Sequence, residues 1–283
     1  MKAKSLPSGP PTKVARAAKL ASVLLIASSC GVATAADSLE YSSGSHVVPA
    51  GAYDTITLLG TARVAIGDGV QAITMNLLSA TASAQISGGK VVTNTTNYGA
   101  LSISGGQLIG GVFALGTAVI DITGGGVALD NNLTGRNQSI INFSGGTLGS
   151  SDAVLSDQAV FNWSGGAMAL YFDLIGQSTW NIFGTAFMLG GISYQPGDMV
   201  TRSSGPFAAG NNYDRATLLV TLADGTSDSV QVLASNGGNA AVPTWTGAIH
   251  FLAPVPEPGS WALMALGLLA VAMRRRNARP MRS

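Results

Sequence analysis

Apolar and polar residues alternate strictly in short runs along the first two thirds of the chain, and most of these runs end in the same pair of residues. Leu101-Ser102-Ile103-Ser104 runs into Gly105-Gly106, and Ile120-Asp121-Ile122-Thr123 into Gly124-Gly125. Ile141-Asn142-Phe143-Ser144 precedes Gly145-Gly146, and Phe161-Asn162-Trp163-Ser164 precedes Gly165-Gly166. Upstream, Ala84-Gln85-Ile86-Ser87-Gly88-Gly89 fits and Val64–Gly69 fits loosely; Trp180-Asn181-Ile182-Phe183-Gly184-Thr185 is a degenerate late copy. Alternation with a period of two marks a strand with one buried face. A glycine pair supplies the left-handed backbone that a sharp turn needs. The leading glycines, Gly88, Gly105, Gly124, Gly145, Gly165 and Gly184, are spaced by 17, 19, 21, 20 and 19 residues.

One such unit cannot bury its apolar face alone. Stacking units about 4.8 Å apart builds a continuous interior and a fully paired backbone. The expected fold is all-β: a parallel β-solenoid (β-helix) of about 20-residue coils over residues 36–190, making a rod about 30–40 Å long from seven or eight coils. Leu101, Ile120, Ile141, Phe161 and Trp180 should form one internal column, and Ile103, Ile122, Phe143, Trp163 and Ile182 its neighbour. Aromatic residues gather in the late coils, so the interior should widen there. Ser102, Asp121, Asn142, Asn162 and Asn181 form one outward row; Ser87, Ser104, Thr123, Ser144 and Ser164 form another. Residues 191–254 lose the glycine rhythm. Ala216–Leu222, a turn at Asp224-Gly225 and Ser229–Leu233 read as a hairpin, and Trp245–Leu252 as a last strand. An antiparallel β cap there would close the open end.

The two ends of the chain follow different rules. Lys2, Lys4, Lys13, Arg16 and Lys19 precede an apolar stretch, Leu20–Ala27, and Ala33-Thr34-Ala35 is a small-x-small cleavage site, so residues 1–35 read as a signal peptide. Cleavage after Ala35 removes Cys30, the single cysteine, and leaves a mature chain without disulfides. At the other end Val255-Pro256-Glu257-Pro258-Gly259-Ser260 leads into Trp261–Met273, thirteen residues without charge, and then Arg274-Arg275-Arg276. Thirteen helical residues reach about 20 Å across a hydrocarbon core of about 30 Å, so this transmembrane helix is a marginal permanent anchor. The arginines should stay cytoplasmic. Pro256–Pro258 then lies at the outer face of the inner membrane.

This tail resembles the PEP-CTERM family of bacterial exported and surface proteins, over roughly residues 255–279. The resemblance implies export through the Sec translocon and cleavage near Pro256–Pro258 by an exosortase-type membrane protease. It also implies a Gram-negative host that makes extracellular polysaccharide, the expected partner at the cell surface. The repeated Gly-Gly-x-apolar strands are also similar to autotransporter passengers.

Charge looks balanced until the ends are removed. Ten of the fifteen basic residues sit in the two terminal signals. Residues 37–254 keep five basic and thirteen acidic residues, a net charge of −8. An acidic, lysine-poor body argues against nucleic acid as a partner. Catalytic candidates are sparse. His46 and His250 stand far apart outside the repeats, and neither a metal-ligand cluster nor a Gly-x-Ser-x-Gly motif is present. Asp121, Asp130, Asp152, Asp157 and Asp173 lie in the solenoid at unlike offsets. The expectation is a non-enzymatic structural protein without cofactors. The alternatives are a carbohydrate-binding adhesin using the solenoid surface and a β-helix polysaccharide lyase or hydrolase.

Overall fold

A computed structural model describes residues 37–128, 132–149, 152–169, 171–201, 203–207, 213–235 and 246–254. Its strands stack in parallel, rung on rung. A front sheet runs through Ser45–Val47, Arg63–Ile66, Ser83–Ile86, Ala100–Ile103, Val119–Ile122, Ile140–Phe143, Val160–Trp163 and the start of Thr179–Leu189, each in unbroken register with the next. Both expected columns form: Leu101 pairs with Ile120, Ile120 with Ile141, Ile141 with Phe161 and Phe161 with Trp180, all buried. Ile103, Ile122, Phe143, Trp163 and Ile182 follow beside them. Each fully buried side chain of this size stabilises the rod by about 1.5–3 kcal/mol.

The back of each coil changes along the rod. In the first coils it is a single eight-residue strand, Gly51–Leu58 and then Val70–Leu77. From Lys90 onward it splits into a two-residue and a three- or four-residue strand, as in Gln107–Leu108 and Val112–Ala114. The two short strands continue the two halves of the long one: Gln71-Ala72 pairs with Lys90-Val91, and Met75–Leu77 with Thr95–Asn97.

The two glycines of each pair serve different ends. Gly125 has φ of +76°, a left-handed conformation that L side chains resist. Gly124 has ordinary φ, but a Cβ there would sit 2.5 Å from the Ser104 carbonyl oxygen of the coil below. In the degenerate copy Thr185 replaces the second glycine. The chain does not turn there: Thr179–Leu189 continues as one eleven-residue strand. A β-branched residue at a left-handed position is costly, so the strand runs on past Thr185 through an irregularity between Gly184 and Ala186, and the regular coils end.

The irregular spacing also has a local cause. The 17-residue coil lacks two residues in the turn before the front strand. Asn97, fully buried, replaces them: its Oδ1 accepts from Gly99 N at 3.0 Å and its Nδ2 donates to the Val119 carbonyl at 3.4 Å. In the other coils this turn is closed by a small residue, Ala62, Ala82, Ala118, Ser139, Ala159 or Ser178, whose N–H bonds back three residues.

Late in the rod the core is aromatic. Phe172 stacks on Trp180 with centroids 3.9 Å apart, and Trp163 lies 6.0 Å from Trp180. Small back-strand residues, Gly135 and Ala153, stand in the coils that hold Phe143, Phe161 and Trp163. The cap is mixed. Tyr213–Leu222 pairs antiparallel with Ser227–Ser235 and with Gly184–Leu189. Ser227–Ser235 also stacks parallel on Tyr171-Phe172, and Ala248–Leu252 stacks parallel on Thr179–Phe183. The expected last strand is therefore one more rung, and Ile249 and Phe251 extend the two internal columns. The hairpin clasps the stack through Asp228, whose Oδ2 accepts from Met168 N at 2.8 Å; burial works against the Asp224 carboxylate, but bonds from the Thr226 hydroxyl and N–H, and then from the Gly166 backbone, hold its pKa below the usual range.

Candidate functional site: amide rails on the front sheet and the exit to the tail

One outward position of the front sheet keeps the same residue over three rungs while its inward neighbour changes. Ile141, Phe161 and Trp180 change size from rung to rung inside, while Asn142, Asn162 and Asn181 stay the same outside. Stacking turns the identical residues into a ladder. Asn142 Nδ2 donates to Asp121 Oδ1 at 2.7 Å, Asn162 Nδ2 to Asn142 Oδ1 at 2.7 Å, and Asn181 Nδ2 to Asn162 Oδ1 at 2.8 Å. Asp121 accepts at the foot of the ladder, and the three amides above it align in one direction. His250 occupies the next rung, in register with Asn181.

A second rail runs along the turn that feeds this sheet. Gln138 Nε2 donates to Gln158 Oε1 at 3.2 Å, and Gln158 Nε2 to Gln177 Oε1 at 3.4 Å. The preceding residues, Gly116, Asn137, Asp157 and Gly176, all have positive φ. Asparagine and aspartate tolerate that conformation best among non-glycine residues. Here their side chains also bond to the coil below: Gly116 N donates to Asn137 Oδ1 at 3.2 Å, and Asn137 N to Asp157 Oδ2 at 3.0 Å. A shallow, open groove of about 600 Å³ follows this turn across four coils. Asp157 is its one charged lining residue.

The remaining acids are scattered. Asp121 anchors the asparagine rail, and Asp130 lies outside the described residues. Asp152 and Asp173 are brought closer than their repeat offsets suggested. Burial, and then the charge of Asp152, push the half-buried Asp173 carboxyl up to about 6, and its Oδ1 has no hydrogen-bond partner. Tyr171 stands in register with Asp152, with the Arg215 guanidinium of the cap hairpin 5.6 Å from its ring centroid. Sequence spacing missed this cluster because Arg215 arrives through the antiparallel hairpin, outside the repeat. His46 packs against Tyr41 at the first coil, and His250 lies on the last rung, so the two stand at opposite ends. Among the described residues no group of three His, Cys, Asp or Glu side chains could hold a metal ion.

Ala248–Leu252 is the final rung, and Ala253-Pro254 leads off its end. The segment beyond this rung decides the fate of the chain. Residues 254–276 match the PEP-CTERM protein-sorting motif. The PEP-CTERM motif implies an exported, membrane-transiting protein that is processed by an exosortase-type membrane protease. It contains Val255, Pro256, Glu257, Pro258, Arg274, Arg275 and Arg276. These residues lie outside the described residues, as do Ala33 and Ala35 of the signal peptide. No curated protein and no solved structure matches the chain.

Proposed function

We propose that the mature protein is a non-catalytic structural rod. It crosses the inner membrane by the Sec translocon, is cut by an exosortase-type protease near Pro256–Pro258, and is retained at the surface or in the exopolysaccharide matrix of a Gram-negative bacterium. The observation that carries this reading is adjacency: the PEP-CTERM motif begins at residue 254, two residues after the last rung ends at Leu252. Cleavage there would release an intact rod with its cap in place. The surface supports a physical role over a chemical one. The groove along the glutamine rail has one carboxylate, Asp157, the groove over the cap hairpin has one, Asp228, and the close pair Asp152 and Asp173 lines neither, whereas most glycoside hydrolysis needs a pair facing across the bound sugar.

Intact-mass spectrometry of the protein recovered from the surface and medium of its native cells tests the proposal. A species starting near Ala36 and ending near Pro256–Pro258, with or without an added group, is the expected result. A species that retains Trp261–Ser283 would make the tail a plain anchor and overturn the cleavage step.

A further inference from the structure

We propose that the groove beside the glutamine rail is a binding site for a neutral, extended polysaccharide chain lying along the rod axis. The site rests on the matrix reading above and gives it a ligand class. Three features of the groove select that class. First, Gln138, Gln158 and Gln177 present the same side chain on successive coils, so the surface repeats by translation along the rod. A ligand that repeats along its own axis can meet all three in the same way. Second, each rail contact uses one amide N–H and one lone pair of the carbonyl oxygen, so exposed amides keep a donor and an acceptor for vicinal hydroxyls. Third, the lining has no basic residue, and its single carboxylate, Asp157, is engaged by Asn137 N. An anionic polymer would find one cation at the edge, the exposed Arg136 that precedes Asn137, set against Asp157 and a body of net charge −8. The adjacent outward column, Ile140 and Val160, offers an apolar strip against which the C–H faces of sugar rings can rest, and Ile140 is 36% exposed.

Rigidity favours the site as well. The positive-φ turns beneath the groove are held by bonds from one coil to the next, so the amides are placed before a ligand arrives.

The exported protein, purified from its native cells, would be run through native gels containing hydroxyethyl cellulose, galactomannan or dextran, with polygalacturonate as the anionic comparison. Retardation in at least one neutral gel and none in polygalacturonate is expected. The triple substitution Gln138→Ser, Gln158→Ser, Gln177→Ser should weaken that retardation at least fivefold. A second variant, Gln158→Lys, keeps a long side chain but blocks the groove with a hydrated charge, and should weaken it as well. Ser144→Ala with Ser164→Ala, at the far edge of the sheet, should leave it unchanged, and circular-dichroism melts should stay within a few degrees for all variants. Retardation in none of the neutral gels, equal retardation in polygalacturonate, or retardation that survives both glutamine variants overturns the site. Wild-type dimers that the triple variant abolishes would also overturn it, marking the groove as an interface between copies. None of these outcomes touches export and cleavage, which the intact mass reads separately.

Discussion

At the scale of single residues, the glycine pairs and Asp173 carry the sharpest expectations. Gly125→Ala should cost more than Gly124→Ala. At Gly124 a Cβ would sit 2.5 Å from one backbone oxygen of the neighbouring coil. At Gly125 it would approach the Gly105 and Gly106 carbonyl groups at 2.8 Å, and the positive φ adds left-handed strain of about 1–2 kcal/mol. Urea melts of the two variants check the order, and equal losses would mean that the turn relaxes around the Gly125 variant. Asp173 works in the other direction. Its folded pKa of about 6 lies above the ordinary 3.8, so the fold favours the protonated form. The associated stability is present below pH 3.8 and is lost as pH rises through 6. Asp173→Asn should therefore raise the melting temperature at pH 7.5 and make little difference at pH 3.5. The shift corresponds to about 3 kcal/mol at 1.36 kcal/mol per unit, which solvent screening at this half-exposed site reduces to about 1 kcal/mol. A lower melting temperature for the variant at pH 7.5 would show that the carboxylate has a partner.

At the scale of elements, the rungs were legible and the corners were not. Alternation and a terminal glycine pair place each front strand, because inward and outward positions differ in chemistry. Nothing comparable marks the corner that splits the back strand after Val91, where polar Thr93 and Asn94 fall between two short runs. Asn97 was equally hidden. As a sequence position it reads as a loop asparagine; in the fold it is buried and stands in for two missing turn residues. The asparagine row was legible as outward, but its bonds from coil to coil exist only once the coils stack. Asn162→Ala removes the middle of that ladder, leaving Asn142 Oδ1 and Asn181 Nδ2 to water. A loss of about 1 kcal/mol is expected, because these groups are only partly buried. Thermal unfolding measures it; a loss above about 3 kcal/mol would mean the amides act as one cooperative network.

At the scale of the whole molecule, nine stacked front strands at about 4.8 Å give a rod of about 38 Å. Its C-terminal end is closed by the hairpin and by Ala248–Leu252, which shield Trp180, Ile182 and Phe172. A chain stopped after Phe183 would expose this aromatic rung with its backbone unpaired, a template for edge-to-edge association. Such a truncation should elute from gel filtration as oligomers or aggregate, whereas the exported protein runs as a discrete species. A monomeric, folded truncation would show that the solenoid does not need its cap. The last rung of this closure ends at Leu252, two residues before the PEP-CTERM motif begins at residue 254.

The sequence by itself determined the parallel solenoid, the two internal columns, the outward amide row and the sorting tail. Each is written in one-dimensional form, as a period of two within a strand, a period near 20 between coils, or a contiguous apolar segment flanked by charge. Only the tertiary structure decided what depends on residues meeting from unlike places in the repeat. Arg215 reaches Tyr171 through a hairpin, Asp228 holds Met168 across 60 residues, and the last strand joins the stack in parallel after a long detour. The glutamine groove belongs to the same class: its residues are visible in the sequence, but their alignment waits on insertions and deletions that the stack absorbs at its corners.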